Sequence, residues 1–223
     1  MNMHSANTIN IKIPKGFIVF ISGVPGVGKT TISYELLKSF NDFRIVEETD
    51  LIREILRGYN EYIESVFQEK ASFLFDKIEI ADHTKFLLYS EAYKQCEHIK
   101  NSLDNIIKRQ KRKGISTIIN GVHIIPEVLN GLYNNDNIIY INLFVNTKQA
   151  LFNRWKEREP AKYNLQNLSI AFKTNIELSK RTLKLSKKMK NIFWNIDVTN
   201  LSIEETKSEI IRCIVNRLQN YQA

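Results

Sequence analysis

Lys29 and Thr30 close the octapeptide Gly23-Val24-Pro25-Gly26-Val27-Gly28-Lys29-Thr30, whose residue types suit the holding of a polyphosphate. Glycines at 23, 26 and 28 let backbone N–H groups turn onto an anion with no side chain obstructing the approach. Lys29 brings a point charge for the outer phosphates and Thr30 a hydroxyl for Mg²⁺. A helix starting there aims its N-terminal dipole at the anion. The spacing is that of the P-loop, G-x-x-x-x-G-K-[ST]. With Thr31 added, residues Gly23, Val24, Pro25, Gly26, Val27, Gly28, Lys29, Thr30 and Thr31 form the candidate nucleotide-binding set. The apolar run Phe17–Ile21 before the loop and the amphipathic stretch from Ile32 after it give the strand–loop–helix context that the motif requires.

A nucleoside triphosphate bound there invites phosphoryl transfer, which needs a carboxylate for the metal and one, or the same one, to take the acceptor's proton. Asp50 is the candidate for both, because it follows a short strand and opens an Arg-bearing helix; the plainer reading is a helix cap. Arg53, one turn on, shares its face and suits a carboxylate or phosphate through its bidentate fork, or else pairs with Glu54 or Glu48. His123, just past the next strand, contacts substrate or caps its turn. Arg154 and Arg158, spaced i, i+4, can meet one anion and stabilise the charge of a loose transition state, or lie on a solvated flank with Glu157 and Glu159.

The elements that position these residues alternate. Strands are expected at Phe17–Ile21, Phe43–Val46, Ile115–Asn120, Asn137–Val145 and from Asn191 to Asp197. Helices are expected after the P-loop, from Leu51 to a stop at Gly58, from Asp82 to Lys113 with a break or bend, briefly from Pro126, over Thr147–Glu159, over Leu165–Lys188 and over Ile203–Leu218. The pattern predicts an α/β fold: a three-layer, doubly wound, five-stranded parallel sheet. The likeness of the octapeptide and its setting to P-loop nucleotide kinases implies the strand order 2-3-1-4-5. Ligands bind at the carboxyl ends of such strands. The ends of strands three and four offer Asn120, Asn142 and Asn146 in place of acids.

At 223 residues, 43% of them hydrophobic, the chain suits one α/β domain over 1–223, with a helical substrate-side insertion at about 59–113 and a short lid at about 154–164. No apolar stretch reaches membrane-spanning length, and the polar start lacks a signal peptide's apolar core, so a cytoplasmic protein without a membrane partner is expected. Cys96 and Cys213 read as reduced packing residues. The net charge of +8 and the run Lys180–Lys190, six cations in eleven residues, leave a nucleic-acid partner open beside ordinary solvated lysines.

The phrases TDLIREILR, RKGISTIINGVHIIPEVL and LFVNTKQALFNRWKER together resemble the 2-phosphoglycerate kinase group of P-loop kinases, over most of the chain from Phe17 to about Thr199. The resemblance implies ATP- and Mg²⁺-dependent phosphorylation of a small hydroxyl acceptor. It gives Lys29 and Thr30 the phosphates and metal, Asp50 and Arg53 the acceptor, and Arg154 and Arg158 the lid. Three departures stand out. Asn120 occupies the position of the carboxylate that usually precedes Gly-Val-His, aromatic-rich residues 59–80 replace the family's Leu-Pro substrate segment, and the N-terminal regulatory region of some members has no counterpart. The expected function is a small-molecule phosphotransferase with Thr30 and Asp50 at the metal; a nucleic-acid 5′-hydroxyl kinase and an ATP-binding switch are the alternatives.

Overall fold

The computed structural model describes residues 11–67, 88–132, 137–158, 165–189 and 191–219. In chain order the elements are β1 (Ile18–Ser22), α1 (Lys29–Ser39), β2 (Phe43–Glu48), α2 (Thr49–Phe67), α3 (Tyr89–Lys113), β3 (Ser116–Gly121), β4 (Ile138–Phe144), α4 (Lys148–Arg158), α5 (Leu165–Lys188), β5 (Phe193–Asp197) and α6 (Ile203–Gln219). The five strands form one parallel sheet in the order β2-β3-β1-β4-β5. The fold class is as the alternation predicts, and the strand order is the one implied by the likeness to P-loop kinases.

Strands β1 and β4 are almost wholly apolar because helices cover both faces of the sheet. Alternate residues feed two cores. Val19, Ile21, Ile118, Ile139 and Ile141 meet Ile32 and Leu36 of α1 and Ile210 of α6 on one face. Ile18, Phe20, Ile119, Ile138 and Tyr140 meet Leu103 and Ile107 of α3 and Leu178 of α5 on the other. Cys96 and Cys213 are buried free thiols, one in each core. Among the described residues no helix is long and apolar enough to cross a membrane.

Several boundaries differ from those read in the sequence. Helix α2 runs through Gly58 to Phe67. A mid-helix glycine costs only about 1 kcal/mol, and Tyr59 to Phe67 continue the helical pattern beyond it. Asp50 lies inside the first turn of α2, one residue past its start at Thr49, so it is not the residue preceding the helix. Strand β2 extends to Glu48 because the edge strand keeps pairing, Glu47 with Ile119 and Glu48 with Asn120. Pro126 opens turns and then a 3₁₀ segment at Asn130–Leu132 instead of an α-helix. Helix α3 is continuous from Tyr89 and ends at Gly114 in the left-handed conformation. Residues 82–87 of its expected start lie outside the described residues, as do 68–80 of the aromatic-rich stretch.

Candidate functional site

The P-loop joins β1 to α1 at the carboxyl edge of the sheet. Its three glycines take φ of 145° at Gly23, 89° at Gly26 and 95° at Gly28, a region that side chains disfavour. Gly26 is doubly constrained: a Cβ there would lie 2.3 Å from Cδ1 of Trp155 on α4. Val24 and Val27 bury their side chains in the core, so these two residues face a ligand with backbone only. Lys29 is buried and donates its Nζ to the Val24 carbonyl at 2.9 Å, which holds the ammonium inside the loop. Thr30 is partly exposed beside it, and Thr31 is exposed.

The β2–α2 junction meets the turn after β3. Asp50 Oδ1 lies 3.9 Å from Arg53 Nη1 and 3.6 Å from His123 Nδ1. Arg53 is only 2% exposed, and its Nη2 donates to Glu54 Oε1 at 3.1 Å. His123 is fully buried, its Nδ1 3.2 Å from Thr49 Oγ1. Gly121 permits this meeting, because a Cβ there would lie 1.7 Å from Thr49 Oγ1. Asp50, Arg53 and His123 are thus brought together. In this group the buried guanidinium can bind an anionic acceptor, and the Asp50 carboxylate can receive a proton.

Arg154 sits elsewhere. Its Nη2 donates to the Val198 carbonyl beyond β5, while Nη1 lies 3.8 Å from where a Cβ on Gly28 would be. Burial lowers the pKa of its guanidinium. Arg158 closes the helix, and its side chain, with residues 159–164 of the expected lid, lies outside the described residues. Arg154 also lines a cavity of about 400 Å³ with Asn146, Asn153, Thr199 and Asn200. The cavity floor is laced together: Asn146 N–H donates to Thr199 Oγ1 at 2.8 Å, and Asn146 Nδ2 donates to Asp197 Oδ2 at 2.7 Å. This pocket, which adjoins the P-loop through Arg154, was not legible in the sequence, where Arg154 reads as a residue for the transferring phosphate and Asn146 only as a strand-end residue.

Glu47 and Glu48 separate. Gln110 of α3 donates to Glu47 Oε1 at 3.3 Å, whereas Glu48 stands opposite Asn120, which is 3% exposed. Among the described residues no group of three or more His, Cys, Asp or Glu side chains converges on a cation-sized point. In the basic run, Arg181 ion-pairs with Glu127 and Glu177 and lies over the Tyr89 ring, while Lys180, Lys184, Lys187 and Lys188 are exposed.

A parallel sheet in this order, with a P-loop entering the first helix, gives the chain a P-loop, nucleotide-kinase-like α/β fold. Within that class, the chain resembles 2-phosphoglycerate kinases. It is 25% identical over 224 residues to the 2-phosphoglycerate kinase of Methanococcus maripaludis, covering 91% of this chain and 66% of that protein. To that of Pyrococcus horikoshii it is 27% identical over 215 residues, covering 93% and 66%. It therefore spans just under two thirds of the length of each of these two relatives. A gluconokinase structure from Sinorhizobium meliloti superposes with a TM-score of 0.56 at 12% identity, covering 95% of this chain and 98% of that one, and shares the fold. No family model matches the chain.

Proposed function

We propose that this chain is an ATP- and Mg²⁺-dependent phosphotransferase that moves the γ-phosphate to a hydroxyl of a small anionic metabolite, in the cytoplasm. The observation that carries this reading is the buried Arg53 beside Asp50 and His123, near the carboxyl edge that carries the P-loop. A solvated patch has no use for a buried guanidinium; an anionic acceptor does.

The loop's backbone N–H groups would cradle the β- and γ-phosphates, and Lys29 would exchange its Val24 carbonyl for phosphate oxygen. The cavity beside Arg154 would take the base and ribose through its amides and hydroxyls. Arg53 would hold the acceptor's anionic group and place its hydroxyl oxygen in line with the γ-phosphorus. As the new P–O bond forms, the bond to the β–γ bridging oxygen breaks, ADP leaves and the hydroxyl proton passes to Asp50. Of the expected insertion at 59–113, α3 packs as a core helix against the sheet, so the acceptor-side wall would fall to the part before it, and 154–164, carrying Arg158, would be the lid.

The donors present fit a hard cation that keeps most of its waters: the Thr30 hydroxyl, phosphate oxygens and one carboxylate from the β2–α2 junction, for which the sequence points to Asp50. Magnesium bound there would neutralise charge developing on the β- and γ-phosphates. The test is a transfer screen with γ-labelled ATP against sugar acids, phosphorylated three-carbon acids, nucleosides and 5′-hydroxyl oligonucleotides. Label on an acidic metabolite is expected. Label on oligonucleotides alone, or tight ATP binding without transfer to anything, contradicts the reading.

A further inference from the structure

We propose that Glu48, and not Asp50, is the carboxylate that holds the nucleotide's Mg²⁺, through the ion's bound water, with the Asn120 amide orienting it. The inference rests on the kinase reading above and divides between two residues the work that the sequence gives to one.

The register carries the argument. Glu48 pairs with Asn120 across β2 and β3, and Asn120 pairs with Ile21 across β3 and β1. Side chains alternate along a strand, and those at paired positions in neighbouring strands share a face. Ile118 and Ile21 pack in the core under α1, whereas Ile119 packs in the opposite core under α3. Asn120 and Glu48 therefore stand on the α1 face, the face on which Lys29 and Thr30 begin their helix. Their neighbours point away: Glu47 is held by Gln110 of α3, and Thr49 Oγ1 closes on Gly121 and His123.

The second observation is independent. Asn120 is 3% exposed, and its Nδ2 has no hydrogen-bond partner among the described residues. Buried amides are normally paired, so an orphaned one at the ligand end of a strand marks a partner that becomes available when the site is filled. A Glu48 carboxylate drawn inward supplies that partner, accepting from Nδ2. Asp50, by contrast, is already turned to Arg53 and His123. Neighbouring strands are about 4.8 Å apart, and β2 stands two strands, roughly 10 Å, from β1. A glutamate side chain plus one water spans that gap to an ion at the P-loop, as magnesium's tightly held shell allows.

The test is Mn²⁺ binding in the presence of a non-hydrolysable ATP analogue, read from the electron paramagnetic resonance signal of free Mn²⁺, with metal-free analogue binding measured in parallel. Glu48→Gln is expected to weaken Mn²⁺ binding by about 10-fold or more, the usual scale for losing such a group, while metal-free analogue affinity stays put. Asp50→Asn is expected to stay within twofold of wild type. Glu48→Gln/Asn120→Asp should recover most of the loss, because the carboxylate returns on the same face one strand nearer. Wild-type Mn²⁺ affinity in Glu48→Gln, or a loss carried by Asp50→Asn, overturns the proposal and leaves the kinase reading standing. A wild type that binds no analogue overturns both.

Discussion

Trp155 donates its indole N–H to the Pro25 carbonyl at 2.7 Å, which pins helix α4 to the middle of the P-loop. The ring lies where a Cβ on Gly26 would be, and Arg154, the preceding residue, reaches the strand-five loop at Val198. One helix thus touches the phosphate cradle and the pocket beside it.

Nucleotide binding should therefore report through Trp155. The chain has two tryptophans, and Trp194 lies on β5. Titration with ATP is expected to change the intrinsic fluorescence of wild type and of Trp194→Phe, and to leave Trp155→Phe silent. A full signal in Trp155→Phe contradicts the coupling of α4 to the loop.

Gly26→Ala should damage the cradle itself. The added methyl meets the indole at 2.3 Å, on a backbone at φ 89°. Overpacking of this kind typically costs about 1–3 kcal/mol. A urea midpoint lowered accordingly, with ATP affinity reduced at least tenfold, is the expected outcome; combining it with Trp155→Ala should restore part of the stability and none of the φ strain.

On the acceptor side, Arg53→Lys should raise the acceptor's KM at least tenfold and leave the ATP dissociation constant unchanged, because a lysine lacks the planar fork. Loss of one partner of a charge-assisted pair costs on the order of 1.5–3 kcal/mol, which sets that scale. An ATP affinity that falls in parallel with acceptor binding would show that Arg53 serves the nucleotide instead.

Burial pushes the Cys96 and Cys213 thiols up from 9.0 to about 12. The native state then holds these protons more tightly than the unfolded state. Their contribution to stability is full below pH 9 and is lost as the pH climbs toward 12. Urea midpoints should fall across that window. At pH 8 a disulfide reagent should label both thiols rapidly only in denaturant, since the thiolate is the reactive form. Rapid native labelling contradicts the burial of both.

Much of this site is written locally. GVPGVGKT fixes its own loop, and the i, i+3 spacing of Asp50 and Arg53 puts them on one helical face whatever the tertiary context. The parallel, doubly wound sheet follows from alternation and crossover handedness, whereas its strand order is implied only by the likeness to P-loop kinases. Less legible was whatever depends on packing across the sheet. Nothing in EETD says that Glu47 and Glu48 part to opposite faces, because that follows from β2 continuing to pair with β3 past Val46. Arg154 and Arg158 share a helical face in sequence, but the place of Arg154 depends on a carbonyl 44 positions away. Gly58 misleads because its small helical penalty is outweighed by the turns around it.

The most direct test of the account is γ-phosphate transfer from ATP to the best anionic acceptor, comparing wild type with Asp50→Asn at saturating ATP. General-base loss typically costs about 10²- to 10⁴-fold, so kcat should fall by at least 100-fold while ATP binding is retained. Full turnover in Asp50→Asn, with ATP binding intact, would contradict the role assigned to Asp50 and with it the geometry of transfer argued from Arg53 and His123.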